Sequence, residues 1–335
     1  MHDTPALWIS ESDVAALLTM PEAIAALAPA LAAEARGEAG SMPKTMLQYN
    51  GHSNLHALGG RLQGLVGTKT WAHTEHGTSP LLMLWDAHDG GLRAVVEAFA
   101  LGNLRTGATS GLATQQLAHP AARRLAIAGT GKQALAQVAA VLAVRPIDQV
   151  QVWGRDAAKA AAFAARVRDT LELDAQAAPS FAEAARGADV VTLATRAAEP
   201  FASAQHFKPG AHVNAIGAIG PDREEFMQDV FDHASLVCTD QLAAAQKLSR
   251  EFRRRYEGRD WNEVLTLGSV ILQDRRRGAW DDLSLFKAMG MGLSDVALGS
   301  AVLERAQARG LGRPIPQPKK APIQLRARRD PAPAL

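Results

Sequence analysis

Cysteine is almost missing from this chain: Cys238 is the one thiol in 335 residues. That excludes an intramolecular disulfide and a cysteine-rich metal site. Cys238 stands in the apolar run SLVCTD, where a buried, inert thiol is expected. No window approaches the roughly 18 uninterrupted apolar residues of a membrane span, so no membrane partner is expected. The opening MHDTPALWIS lacks a basic start followed by an apolar run, which predicts a cytoplasmic protein. An excess of one charge sign is absent too: the net charge is +2, too little for a nucleic-acid partner. There is no internal repeat. What the chain does have is 47% hydrophobic and 21% charged residues, enough to bury one large core or two ordinary ones.

Three textures follow one another. From Trp8 to about Arg36 the apolar spacing is helical, with Ser10 or Ser12 as a cap and Pro21 in a second helix's first turn. From Pro43 to about Glu97, short runs such as KTMLQY and PLLMLWDA are broken by Gly, Asn, Asp and His, which predicts an antiparallel sheet. DAHDGGL (86–92) reads as a hairpin turn. A helix with small residues on one face then ends before Pro120. From Arg123, the strand runs RLAIAG, QVQVWG, DVVTLAT, AHVNAIG and SLVCTD alternate with alanine-rich helices, the pattern of a doubly wound parallel sheet. Beyond Asp240 the chain reads as helical through Arg277, and a last helix is expected from about Ser284 to Arg309. The tail, 314–335, is rich in proline and in basic residues (Lys319, Lys320, Arg326, Arg328, Arg329), so partial disorder is expected there.

The strongest local motif is Gly129-Thr130-Gly131-Lys132-Gln133-Ala134, a G-x-G-x-x-A between a strand and a helix. The first glycine makes the tight turn, the second leaves room for a pyrophosphate, and the alanine lets helix and strand pack closely. The helix N-terminus adds free N–H groups and a partial positive charge. After the next strand comes VWGRDAAK, with Arg155 where an acid would select against a 2′-phosphate. Arg155 can stack on adenine and pair with that phosphate, so NADPH is favoured, with NADH as the alternative. Asp156 either touches ribose or caps the following helix. Thr195 in LATRAAEP and Ile216, Gly217 and Ala218 in NAIGAIG close the later strands and belong to the same crevice.

Several motifs in order, GTKTW (67–71), NLRTGATSGLATQQLA (103–118), IAGTGKQA, VWGR, ADVVTLAT, PGAHVNAIGAIGPDREE and LFKAMGMGLSD (285–295), make the chain resemble the ornithine cyclodeaminase and mu-crystallin family from about Pro43 to Gly310. The resemblance implies an α/β protein of two domains. A Rossmann dinucleotide-binding domain would span 119–299. Residues 1–118, joined by 300–325, would form a second, α+β domain that binds substrate and makes a homodimer. It also implies redox chemistry at the carbon between a nitrogen and a carboxylate. Lys69 matches the family lysine that faces the substrate, and Arg105 the arginine near substrate carboxylate and cofactor, so both are expected to be catalytic and substrate-binding. Lys44 stands where many members carry an arginine; it keeps the charge without the planar fork. Ala288 in FKAMGMG is expected near the nicotinamide.

One departure decides the activity. Where cyclodeaminases and the family's alanine dehydrogenases carry an acid/base aspartate after NAIGA, this chain has Ile219. Cyclising ornithine requires deprotonating an amine and expelling ammonia, and isoleucine moves no proton. Reducing a cyclic imine demands less, because the C=N arrives formed and takes its proton from solvent or from Lys69. The expected function is NAD(P)H-dependent reduction of Δ1-pyrroline-2-carboxylate to L-proline and of Δ1-piperideine-2-carboxylate to L-pipecolate. The competing readings are an ornithine cyclodeaminase or amino-acid dehydrogenase, and a non-catalytic NADPH-binding protein like the crystallin member. His73 and His76 in HTEHG lack a third ligand, so no metal is expected, and a solvated loop or a hairpin is. Arg250 opens REFRRRYEGRD, expected to be a solvated helix face. Trp71 and Trp85 are expected in the sheet core or at the dimer face.

Overall fold

A computed structural model describes residues 4–51, 53–278, 282–323 and 325. Two eight-stranded sheets organise them. The first runs, from one edge, Arg313–Ile315, Ala6–Ile9, Leu92–Glu97, Leu81–Asp86, Leu65–Thr74, Ser53–Leu62 and Gly40–Tyr49, with Gly77–Thr78 beside Leu65–Thr74. It is antiparallel except where Ala6–Ile9 lies parallel to Leu92–Glu97. The second sheet is parallel throughout, in the order Asp174–Ala177, Gln149–Trp153, Arg124–Ala128, Val190–Leu193, His212–Ala215, Leu283–Lys287, Ala234–Thr239 and Val264–Thr266. Its first five strands follow the 3-2-1-4-5 order of a doubly wound fold, so the α/β Rossmann reading holds. The central strands are buried on both faces; Val190–Leu193 and His212–Ala215 have no exposed residue.

Local signals worked where the chemistry is local. Ser10 caps the helix Glu11–Leu17 in a reciprocal box with Asp13, and Pro21 sits in the first turn of Met20–Ala35. Asp156 accepts from the Lys159 N–H and caps Ala157–Leu171, and it also lines the cleft beside Arg155. Four expectations need correction. Residues 283–287 are a fully buried strand of the parallel sheet, and the last helix starts only at Gly292. Leu283, Leu285 and Phe286 fit a strand or a helix turn equally, and the polar members Ser284 and Lys287 are buried with them, so spacing alone could not separate the two. The chain beyond Asp240 contains the strand Val264–Thr266 among its short helices, and the N-terminal segment opens with the strand Ala6–Ile9. The tail is held further than expected: Arg313–Ile315 pairs with Ala6–Ile9, and the Gln317 amide donates to the carbonyls of Leu92 and Thr4. Residues 324 and 326–335, with Arg326, Arg328 and Arg329, lie outside the described ones.

The helix Phe99–Leu117 joins the two halves. Its small face meets the helix Ala134–Leu142 so closely that a Cβ on Gly107 would lie 2.8 Å from the Ala136 carbonyl oxygen. The last helix, Gly292–Arg309, packs its first turn on the strand Ser53–Leu62: a Cβ on Gly292 would lie 2.0 Å from the Gly59 carbonyl oxygen. These two contacts set the position of the side chains that line the cleft. Among the described residues no single helix is long and apolar enough to cross a membrane. Cys238 is buried, and burial pushes its thiol up from the ordinary value.

Candidate active site

The cleft opens at the carboxyl ends of Arg124–Ala128 and Val190–Leu193, where the strand order reverses. In doubly wound sheets this switch point is where ligands bind. One part, of about 720 Å³, is lined by Gly129, Thr130, Gly131, Arg155 and Thr195, with Trp153 and Phe201 as apolar walls. A second part, of about 580 Å³, shares Gly131 and Thr195 and continues past Lys132, Gln133, Ile216, Gly217, Ile219 and Ala288 to Lys44, Trp71 and Arg105. Gly129 has φ +113°, and a Cβ there would lie 2.4 Å from the Ala194 carbonyl oxygen. Gly131 differs: a Cβ there would meet nothing within 4 Å, so its missing side chain opens onto the cleft. The N–H groups of the first turn of Ala134–Leu142 stand behind it. This arrangement fits the pyrophosphate of a dinucleotide.

Ala134 and Ala218 do not line the cleft themselves. Ala134 is packed against the sheet as the first residue of its helix. Ala218 is held from behind: its N–H donates to Glu225 Oε2 at 3.1 Å, and its carbonyl accepts from Lys287 Nζ at 2.6 Å. Glu225 also accepts from the Thr195 N–H and hydroxyl, at 2.6 and 2.7 Å, and from the Gly217 N–H at 2.8 Å. One buried carboxylate thus ties both strand-end loops together. Burial pushes its pKa up against the opposing pull of Lys287 and these donors. Lys287 in turn pairs with buried Glu251 at 3.2 Å. The run from Arg250 is therefore only half a solvated face: Arg250 and Arg254 clasp buried Glu224, while Glu251 points inward.

Opposite the glycine turn stands the first sheet. Lys69, Trp71 and His73 alternate along Leu65–Thr74, so they share one face. Lys44 sits in an irregularity: the pairing of Gly40–Tyr49 with Ser53–Leu62 shifts register between Met42 and Thr45. Pro43, which has no N–H, stands in that bulge. Arg105 arrives on Phe99–Leu117. The structure thus brings Lys44 and Arg105 to the lining of one cleft, with Lys69 buried just behind. Lys69 Nζ lies 5.3 Å and Lys44 Nζ 5.7 Å from the centre of the Trp71 ring. Trp71 is therefore a wall of the cleft rather than a sheet-core residue, and His73 and His76 lie in the expected hairpin, where His73 pairs with Thr78 and also lines the cleft. Trp85 lies in a separate shallow groove with Arg61 and Val66. His56 stacks on Trp71 at 4.7 Å; burial, then Lys44, lowers its pKa to about 4, so it is neutral at pH 7.

Two functional-looking residues escaped the sequence reading. Asp295, in the first turn of Gly292–Arg309, is fully buried and accepts from Lys69 Nζ at 2.5 Å. Its Oδ1 also lies 3.5 Å from Arg105 Nε. Burial lowers the Lys69 pKa to about 8, with Asp295 opposing and Arg105 and Lys44 assisting the fall. Burial, then Arg105, lowers Lys44 as well. Glu225 is the second. Neither stood out, because an acid in a helix's first turn or before an apolar run is ordinary. Among the described residues, the lining beside Lys44 and Arg105 includes no aspartate or glutamate, and Ile219 stands on its loop half-exposed.

Comparison with known proteins agrees with this geometry. A family model described as the ornithine cyclodeaminase/mu-crystallin family matches residues 6–310. A Δ1-pyrroline-2-carboxylate reductase of Bacillus cereus (strain ATCC 10987 / NRS 248) is 31% identical over 239 residues, covering 70% of this chain and 73% of that protein. The ketimine reductase mu-crystallin of Mus musculus is 30% identical, covering 67% and 68%. An archaeal alanine dehydrogenase dimer with bound NAD superposes with a TM-score of 0.86 at 28% identity, over 93% of this chain and 99% of that one. The match extends over nearly the whole chain and runs through every motif described above; the chain belongs to the ornithine cyclodeaminase/mu-crystallin family.

Proposed function

We propose that this protein reduces cyclic imino acids, Δ1-pyrroline-2-carboxylate to L-proline and Δ1-piperideine-2-carboxylate to L-pipecolate, with NADPH as the preferred reductant and NADH as the alternative. The observation that carries the reading is a cleft with cations on one wall, the glycine turn on the other, and isoleucine on the loop between them. Three positive groups, Lys44, Lys69 and Arg105, converge where a small anion would sit, and a partly enclosed charge binds more strongly than an exposed one. With no carboxylate lining that space, an ammonium substrate such as ornithine finds no carboxylate base or counter-ion there. A planar imine needs none.

The residues divide the work as follows. Gly129, Thr130 and Gly131 hold the pyrophosphate, and Thr195 with the 216–218 loop frames the nicotinamide. A reduced nicotinamide bound there supplies the hydride. Lys44 and Arg105 hold the substrate carboxylate and thereby fix the C=N carbon against that face. Lys69 gives a proton to the imine nitrogen and regains it from water, so that one hydride and one proton complete the amine. The apolar walls, Leu58, Trp71, Ile216 and Met289, exclude water from the ring. Residues 1–118 with 300–325 act as the substrate and dimerisation domain and 119–299 as the dinucleotide domain, with the helix Gly292–Arg309 crossing that boundary and packing its first turn on the first sheet. The edge strand Gly40–Tyr49 exposes Met42, Met46 and Leu47, an apolar edge that a second copy would cover in a homodimer.

The test is a substrate panel read at the reduced-nicotinamide absorbance: both ring sizes, pyruvate with ammonia, and ornithine, each with both cofactors. Turnover of the cyclic imines is expected. Ammonia release from ornithine would restore the cyclodeaminase reading, and tight NADPH binding with no turnover of any imine would favour the crystallin-like one. Arg155 lines the cleft beyond Trp153, beside Gly154 and Lys159. Arg155→Glu should raise the KM for NADPH about 10- to 100-fold, since a charged hydrogen bond contributes roughly 1.5–3 kcal/mol, and should leave the KM for NADH within about threefold. Equal effects on both would show that Arg155 does not read the 2′-phosphate.

A further inference from the structure

Asp295 is the carboxylate in direct contact with the cationic wall, yet it lies behind that wall and is fully buried. It is 226 residues from Lys69 in sequence, so the contact is made by tertiary packing alone. Its Oδ1 takes both cations, while Oδ2 and Arg105 Nε lack a hydrogen-bond partner although both are buried. A buried half-used carboxylate is costly, and such groups are retained where they serve a function. We propose that Asp295 is a positioning residue that fixes Lys69 and Arg105 as one unit, so that Lys69, held by Asp295, takes over the proton delivery that the Ile219 loop lacks. This rests on the reductase reading above.

The groups facing Lys69 come from every element packed on it. Asp295 approaches from Gly292–Arg309 and Arg105 from Phe99–Leu117; Lys44 acts on it from Gly40–Tyr49. On its own strand Trp71 offers a ring face. Burial and the two cations all drive the proton off Lys69; Asp295 alone opposes them. Remove that anion and the charged fraction of Lys69 at neutral pH falls, leaving less of the acid form to donate. Within the fold the arrangement is rigid, because Asp295 stands one turn beyond Gly292, whose backbone touches Gly59.

The experiment compares the full-length protein with Asp295→Asn. Acetic anhydride acylates only the neutral amine, so the yield of acetyl-Lys69 against pH, read by peptide mass spectrometry, gives the Lys69 midpoint without any turnover. The wild-type midpoint is expected near pH 8, and that of Asp295→Asn at least one unit lower, since an adjacent opposite charge shifts a pKa by about 1–3 units. In parallel, the alkaline fall of kcat/KM for Δ1-pyrroline-2-carboxylate should move down by the same amount, with kcat reduced more than KM is raised. An unchanged midpoint overturns the proposal. If Asp295→Asn does not fold, Asp295→Glu decides: it keeps the charge, so its midpoint should stay within about half a unit of wild type while kcat falls, and a midpoint displaced by a full unit overturns it. A wild-type protein inert toward every cyclic imine would remove the reductase reading, and the acylation midpoints would still decide whether Asp295 governs Lys69.

Discussion

Lys69→Met will lower kcat/KM for a cyclic imino acid by about 10²- to 10⁴-fold while leaving dinucleotide affinity within about threefold. That range, about 10²- to 10⁴-fold, is the typical contribution of one positioned proton donor. Loss of a carboxylate-facing charge adds to it. Methionine matches the length of the lysine stem, but it leaves buried Asp295 with Arg105 as its neighbouring cation, so a stability loss of about 3–5 kcal/mol is expected and the kinetics are read well below the lowered unfolding temperature. The pH profile separates the two losses. In the wild type the Lys69 pKa is depressed to about 8 from the ordinary 10.5. The charged form therefore persists below about pH 8 and is lost as the pH rises through it. As an acid, Lys69 makes imine reduction fall above pH 8; as a base in the reverse, amine-oxidising direction it makes the rate rise over the same range. Lys69→Met should flatten both limbs. A residual profile that keeps the alkaline fall would place the proton donor elsewhere.

Gly217→Ala will destabilise the protein by roughly 3–5 kcal/mol, whereas Gly131→Val will leave stability within about 1 kcal/mol and abolish tight dinucleotide binding. The two glycines look alike in the sequence and differ in what surrounds them. A Cβ on Gly217 would lie 1.9 Å from the Thr195 carbonyl oxygen, 2.4 Å from its nitrogen and 2.7 Å from Glu225 Oε1. Two of those neighbours are backbone and cannot yield. Moving them breaks the hydrogen bonds to Glu225, and a buried carboxylate that loses its donors is strongly destabilising. At Gly131 nothing lies within 4 Å of an added Cβ, so a side chain there starts in open cleft, and the methyls of valine are expected to occupy the space of the pyrophosphate. Thermal unfolding read together with NADPH titration checks both. A stable Gly217→Ala protein, or a Gly131→Val protein that binds NADPH as the wild type does, would contradict this account of the switch point.

The sites most legible in the sequence were those with local signatures. A glycine turn between a strand and a helix announces itself within six residues, because the conformation it needs is set by neighbouring backbone atoms. Ser10, Pro21 and Asp156 were readable for the same reason: a cap acts on N–H groups only a few residues away. Lys44, Lys69 and Arg105 were singled out through the family resemblance; their spacing alone would have read as scattered surface charge. The strand Leu283–Lys287 has no period to read because its polar residues, Ser284 and Lys287, are buried along with its apolar ones.

By itself, then, the sequence determined the parallel sheet, the phosphate turn and the absence of an acid at Ile219, each a matter of side-chain type within a short window. Long-range packing, by contrast, brings Asp295 to Lys69 across 226 residues, lets Glu225 tie the two strand-end loops, and turns Trp71 toward the cleft. Those contacts depend on how closely the Gly292–Arg309 helix approaches Gly59 and how the Met42–Thr45 register shift turns the edge strand. Distances of that kind are fixed by packing between segments far apart in the chain, and no local pattern of residues encodes them.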